Sequence, residues 1–184
     1  MYKIIALIGE AGTGKDTVMK KILEQYPFEF NEIISCTTRP RREGEVEGVN
    51  YYYLTPSDFT YKVLNFEMLE ATEFNGWFYG TSYDSLRSDV KNIGVFNPDG
   101  IRAILNDPNV SCDIYRIKCD DKTRLLRQLN RETNPNVDEI VRRYKTDKMD
   151  FSDLEFPYIE IENYNLDEAV HKVLTSAPNL AKVD

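Results

Sequence analysis

Apolar positions gather into short β-type runs at Lys3–Ile8, Glu32–Cys36, Asn92–Phe96, Cys112–Lys118 and Tyr158–Ile161. Between them, apolar residues recur at helical spacing over Thr17–Gln25, Pro98–Asn106, Lys122–Arg131, Val137–Met149 and Leu166–Thr175. A run that is apolar at every position, as Ile4–Ile8 is, suits a strand covered on both faces. Strands and helices alternating in this way predict βαβ units. The expected fold is α/β, a core with a five-stranded parallel sheet flanked by helices. The stretch from Tyr51 to Tyr83 breaks the alternation. It is crowded with aromatic residues, and Asn75-Gly76 reads as a tight hairpin turn. A small mixed α+β insert is expected there, with Phe59, Phe66 and Phe74 as its core. Without repeats or Ser/Gly linkers, insert and core are expected to fold as one unit.

Composition narrows the function. Of 184 residues, 41% are hydrophobic and 29% charged, a globular balance. The net charge of −8 argues against a nucleic-acid partner. No apolar run approaches the roughly 20 residues that span a bilayer, and Ile4–Ile8 is too short for a signal-peptide core. No membrane partner is expected, and the location is read as cytoplasmic. The single histidine, His171, lies in the last helical segment and reads as structural. Cys36, Cys112 and Cys119 lack C-x-x-C spacing and read as reduced thiols. Lysine, arginine, carboxylates and backbone must therefore carry the chemistry.

Gly9-Glu10-Ala11-Gly12-Thr13-Gly14-Lys15 follows a buried strand and opens a helix, fitting G-x-x-x-x-G-K. Such a loop wraps phosphate oxygens with backbone N–H groups, and the helix N-terminus adds positive potential. Lys15 is expected to reach the β- and γ-phosphates of a nucleoside triphosphate. Asp16 stands where Ser or Thr usually holds Mg²⁺, with Thr17 one residue later. Mg²⁺ is therefore expected to be held mainly by ATP phosphates and water, with Asp16 or Thr17 as the candidate protein contacts.

A second basic cluster, Thr37-Thr38-Arg39-Pro40-Arg41-Arg42, packs three arginines into four residues with no acid among them. That repulsion suggests a bound anion, and guanidinium forks suit phosphate. With Ser35-Cys36 before it, Glu43-Gly44-Glu45 after it and Gly48-Val49-Asn50-Tyr51 beyond, the run resembles the monophosphate-binding segment of guanylate kinases. Leu69-Glu70 and Phe78-Tyr79-Gly80-Thr81-Ser82 resemble that family's second signature. Arg127, Arg131 and Arg143 are similar to its lid arginines, and Tyr158–Asn163 to the late strand at its adenine pocket. The resemblance implies a P-loop core at about 1–36, 84–121 and 150–184, a monophosphate-binding insert at about 37–83 and a helical lid at about 122–149. It also implies ATP-dependent phosphoryl transfer to GMP or dGMP, with another nucleoside monophosphate or small phosphorylated metabolite as the alternative acceptor. A catalytically silent protein-binding module is the remaining alternative, disfavoured by the intact Gly9–Lys15 loop.

Carried over by position, Arg39, Arg42, Tyr51 and Tyr79 would hold the acceptor phosphate, and Ser35, Glu70, Thr81 and Asn97 would touch the base. Lys15, Arg131 and Arg143 would act on the transferring group. Gly9, Ala11, Gly12, Thr13, Gly14, Lys15, Asp16, Thr17, Arg127 and Asn163 would contact ATP. The chemistry of Glu70 agrees, since a carboxylate accepts the adjacent N1–H and N2–H₂ donors of guanine, whereas adenine presents an acceptor at N1. Arg124, Arg127 and Arg131 share one helix face, with Leu125, Leu126 and Leu129 expected to anchor another. Val137, Ile140, Val141 and Tyr144 are expected to repeat that pattern in the next helix. The chain departs from the family where its Asp-x-Asp is replaced by Val95 and Asn97. Asn97-Pro98-Asp99 reads equally well as a helix start.

Overall fold

The computed structural model describes residues 1–42, 44–74, 76–131 and 133–176. In chain order the elements are β1 (Tyr2–Ile8), α1 (Lys15–Gln25), β2 (Phe30–Glu32), β3 (Cys36–Thr37), β4 (Tyr52–Tyr53), α2 (Pro56–Leu64), β5 (Met68–Phe74) and β6 (Trp77–Ser82). A short 3₁₀ turn follows, then β7 (Lys91–Val95), α3 (Pro98–Leu105), β8 (Val110–Lys118), α4 (Asp121–Leu129), α5 (Val137–Asp150), β9 (Ile159–Glu162) and α6 (Leu166–Thr175).

The core sheet has five strands in the order β2-β7-β1-β8-β9, and every pair in it is parallel. Its central strand explains the apolar run at the N-terminus. Alternate residues of β1 point to opposite faces. Ile4, Ala6 and Ile8 therefore pack with Ile101, Ile104 and Ile114 on one side. Ile5 and Leu7 pack with Val18, Ile22, Ile117 and Val170 on the other. Each such aliphatic side chain contributes about 1.5–3 kcal/mol on burial. The C-terminal ends of β1 and β7 thus point at the loops that form the site, as expected of a parallel α/β sheet.

The second sheet has the order β4-β3-β6-β5. It corrects the strand expected at Glu32–Cys36. That segment splits: β2 ends at Glu32 beside β7, and Cys36–Thr37 pairs instead with Gly80 and Tyr79 of β6. The residues between make the crossing from one sheet to the other. The expected Asn75-Gly76 turn includes Asn75, which lies outside the described residues, as do Glu43 of the basic segment and Glu132 of the lid connection.

Helix starts follow capping chemistry. Thr55, Asn97, Asp120, Asn136 and Asn165 each accept a backbone N–H with their side chains at the starts of α2, α3, α4, α5 and α6. Helix α1 is the exception. Its N-cap is Gly14 in the left-handed conformation, with no side-chain cap. Its first amides are left for something else to bind.

Two expectations about the lid helices are corrected. In α4, Leu126 and Leu129 are exposed while Arg124 is buried. In α5, Val137 and Val141 are exposed, and no residue of the helix is fully buried. The inward surface of these helices is polar because α4 packs against loop carbonyls, and α5 against the Ala11 N–H and the charged side chains of α4, rather than against the core. His171 is exposed on α6, and Cys36, Cys112 and Cys119 are all unpaired and buried. No described helix is long and apolar enough to cross a membrane.

Candidate active site

The loop between β1 and α1 is folded by its neighbours. Gly12 has φ +85°, and a Cβ there would lie 2.5 Å from the Arg124 carbonyl oxygen. Gly14 has φ +87°, and its Cβ would lie 2.6 Å from Asn163 Nδ2. Only glycine satisfies both demands. The loop's carbonyls are turned outward and bound. Ala11 O accepts from Arg124 Nε at 3.1 Å and Gln128 Nε2 at 3.3 Å. Thr13 O accepts from Asn163 Nδ2 at 2.8 Å and Arg127 Nη1 at 3.1 Å. Holding the carbonyls outside leaves N–H groups to line the inside, which is what an anion requires. Arg127 and Asn163 thus support the loop from behind, and Arg127 Nη2 also donates to Asn163 O at 2.9 Å. Lys15 is the first residue of α1 and is only 17% exposed, with Nζ 3.9 Å from Asp16. Asp16 and Thr17 are exposed on the first turn.

From this loop a cleft of about 380 Å³ runs to the second sheet. Gly9, Ala11 and Lys15 line one end, and Ser35, Tyr51, Glu70 and Tyr79 the other. Val95 to Pro98 form part of its floor, and Arg143, Thr146, Asp147, Asp150 and Phe151 bring α5 along its side. Glu70 stands opposite Thr81 in the β5–β6 pairing, and the Thr81 hydroxyl donates to Glu70 Oε1 at 2.9 Å. Thr81 is fully buried, so it sits behind Glu70 rather than on the cleft wall. The second oxygen, Oε2, faces the first turn of α3, where a Cβ on Gly100 would come within 3.3 Å of it. Burial raises the Glu70 pKa to about 7, with the Thr81 hydrogen bonds opposing. An uncompensated carboxylate held in this way is a strong acceptor for any donor pair that enters.

Not every expected residue lies on the cleft. Arg39 is buried, but its guanidinium forms a two-pronged pair with Glu45, at 2.8 and 3.1 Å, and lies over the ring of Tyr51. The Arg42 backbone N–H donates to the same carboxylate, at 2.8 Å. Glu45 thus supplies the countercharge that the arginine-rich run lacked, and these contacts lower its pKa to about 2, with the Arg39 hydrogen bond the main cause. The Arg42 side chain is exposed, and Arg131 is exposed just beyond α4; neither lines the cleft. Arg143 does line it, with Nε donating to Glu139 at 2.7 Å. Asn97 borders the cleft, but its Oδ1 accepts from Gly100 N–H at 2.7 Å, so its side chain serves as the α3 cap.

Asp147 and Asp150 were missed by the motif reading. Arg143, Thr146, Asp147 and Asp150 fall at i, i+3, i+4 and i+7, and that spacing alone could have marked a polar helix face turned inward. Glu10 and Arg116, a buried ion pair at 2.8 Å under the loop, carried no local signal. Among the described residues, no three His, Cys, Asp or Glu gather to hold a metal ion.

A glycine-shaped loop on a parallel sheet, two helices beside it and a second sheet across a shared cleft define a P-loop fold. The comparisons give the family. The Guanylate kinase family model matches residues 1–177, and the chain belongs to the guanylate kinase family. A guanylate kinase from Synechococcus sp. (strain JA-3-3Ab) is 28% identical over 93% of this chain and 80% of its own length. One from Mycoplasma mycoides is 30% identical over 93% of this chain and 59% of its own. Other curated relatives are matched over about half their length, such as the Nostoc guanylate kinase, 40% identical over 49% of this chain and 45% of its own. Among solved structures, a guanylate kinase from Anaplasma phagocytophilum superposes with a TM-score of 0.66 at 23% identity, covering 94% of this chain and 82% of that one. A sugar kinase from Janibacter sp. HTCC2649 shares the fold with a TM-score of 0.54 at 15% identity.

Proposed function

We propose that the protein transfers the γ-phosphoryl group of ATP to GMP or dGMP, giving ADP and the diphosphate. The observation that carries this reading is the buried Glu70 carboxylate in the same cleft as the phosphate loop. Guanine presents two adjacent donors to such a carboxylate. Adenine and cytosine place an acceptor at the matching ring nitrogen, leaving a buried mismatch that costs roughly 1–3 kcal/mol. Tyr51 and Tyr79, with rings 6.1 Å apart at the cleft wall, are assigned to the acceptor phosphate, and Arg39, off the cleft and paired with Glu45, supports Tyr51 from behind with its positive charge.

The attacking monophosphate is already an anion, so the transfer needs positioning and charge neutralisation more than a general base. Lys15 and the loop amides would neutralise the donor phosphates, and Arg143 would face the transferring group from the lid. A Mg²⁺ entering with ATP would be held mainly by phosphates and water, with Asp16 or Thr17, exposed on the first turn of α1, as the candidate protein contacts. When bound, the ion supplies charge neutralisation between the phosphates. Closure of insert and lid would exclude water, which otherwise competes as acceptor. The three unpaired cysteines suit a cytoplasmic location.

A coupled ADP-release assay over ribo- and deoxyribonucleoside monophosphates tests this reading. Guanine nucleotides should lead, with uracil and thymine, which keep one ring N–H donor, as the next best. An adenine or cytosine nucleotide as best acceptor would sink the assignment of Glu70.

A further inference from the structure

One contact on the phosphate loop has no part in the transfer described above. Asp147 of α5 accepts a hydrogen bond from the Ala11 N–H at 2.7 Å and another from Arg124 Nη2 at 2.8 Å, both on the same oxygen, Oδ2. Arg124 returns to the loop through Nε, which donates to Ala11 O at 3.1 Å, and its Nη1 donates to Asp121 at 3.1 Å. A closed ring results, in which one lid arginine and one lid aspartate hold both polar groups of Ala11. It is well buried, with side-chain exposures of 2% for Arg124 and 17% for Asp147.

The N–H groups of this loop exist to bind anionic oxygens. Ala11 is the loop residue that, with Gly9 and Lys15, faces along the cleft toward Glu70 and Tyr79. The phosphate bound there is the one nearest the acceptor, which is the terminal one. A carboxylate oxygen on that N–H occupies the place of a terminal phosphate oxygen, carries like charge, and sits in the field of the same Lys15. Two anionic oxygens do not share one donor without repulsion.

We infer that Asp147 is a lid-borne surrogate for the terminal phosphate. It competes with a nucleoside triphosphate for the Ala11 N–H, and its displacement couples the position of α5 to occupation of the loop. The inference rests on the reading of Gly9–Lys15 as the triphosphate site. Asp147 is then a positioning residue that sets preference between triphosphate and diphosphate, because a diphosphate leaves the Ala11 N–H to the carboxylate.

The test is calorimetric titration of the full chain with ADP and with β,γ-imido-ATP, each in Mg²⁺ and in EDTA. Wild type, Asp147→Asn and the doubly neutral Arg124→Gln/Asp147→Asn protein are compared. The double variant guards against loss of folding from a buried arginine left without its partner, and thermal melting checks all three. In Asp147→Asn, triphosphate affinity should rise at least threefold while ADP affinity changes less than twofold; in the double variant, which also loses the Arg124 brace on Ala11 O, the ratio of triphosphate to ADP affinity should rise by the same factor. Unchanged or weaker triphosphate binding in folded Asp147→Asn would overturn the inference, as would an unchanged ratio in the folded double variant or an equal gain for ADP. A loss confined to Mg²⁺ buffer would also overturn it, since the carboxylate would then be acting through the cation. Lys15→Ala is the separate control: if it binds triphosphate as well as wild type does, the loop reading itself fails, whatever Asp147 does.

Discussion

The donor end and the acceptor end of the cleft are built from different materials. On the proposed function the loop would bind phosphate through backbone amides; it is shaped by positive-φ glycines and braced from behind by Arg124, Arg127, Gln128 and Asn163. The proposed acceptor end presents side chains instead: Glu70, Tyr51 and Tyr79 on the cleft, with Arg39 held by Glu45 beside it. Backbone amides are pre-organised by the fold and indifferent to the base that follows the phosphates. Side chains on a separate small sheet cost more to orient but can read a base edge. The proposed transfer, from one common donor to a selected acceptor, needs this division.

Breaking the donor end should have the largest effect. Lys15→Ala should lower kcat by at least two orders of magnitude for every acceptor, with the melting temperature little changed; steady-state kinetics and thermal melts check both. Near-normal turnover would remove the phosphate loop from the mechanism.

At the acceptor end, Glu70→Gln should lower kcat/KM for GMP about a hundredfold while leaving the affinity for ATP intact. The pH dependence gives this residue a second signature. Its folded-state pKa, about 7, lies above the ordinary carboxylate value of 4.5, because burial disfavours the charge. The stability it contributes is therefore complete below about pH 4.5 and is lost as pH rises through 7. Above pH 7 the buried charge costs the ligand-free fold on the order of 3 kcal/mol. Glu70→Gln should accordingly melt higher than wild type at pH 8, with the difference closing toward pH 5. GMP, whose donors favour the ionised form, should bind wild type more tightly as pH rises from 6 to 8, releasing a proton.

Smaller effects sharpen the comparison. Arg39→Ala should raise the KM for the monophosphate about tenfold without changing ATP affinity, and equal losses for both substrates would merge the two phosphate sites into one. Gly100→Ala places a methyl 3.3 Å from Glu70 Oε2 and 3.1 Å from Asn97 Oδ1. It should raise the KM for GMP a few-fold and leave kcat nearly unchanged, as a crowding effect on one carboxylate.

The same division explains what the sequence disclosed. A strand apolar at every position, a G-x-x-x-x-G-K turn and Asn-Pro-Asp at a helix start are local codes, and the parallel sheet, the loop and the α3 cap follow from them. Glu70 and Tyr79 were legible through short motifs on adjacent strands. Pairings across sequence were not. Glu45 takes up Arg39 through a loop, Asp147 meets Arg124 between two helices, and Glu10 meets Arg116 from another strand. No periodicity marks such pairs, since each depends on where two elements cross. The leucines of α4 misled for the same reason: helical spacing shows that a stripe exists, but the neighbouring loop carbonyls decided that Arg124 would be the buried side chain.

The central claim is that one cleft holds two nucleotides at once, by unlike means. Titration of GMP into the protein, alone and saturated with β,γ-imido-ATP, tests it most directly. The account predicts one GMP bound per chain in both cases, with affinity equal or higher when the ATP analogue is present. Displacement of GMP by the analogue, with affinity falling in proportion to analogue concentration, would contradict it.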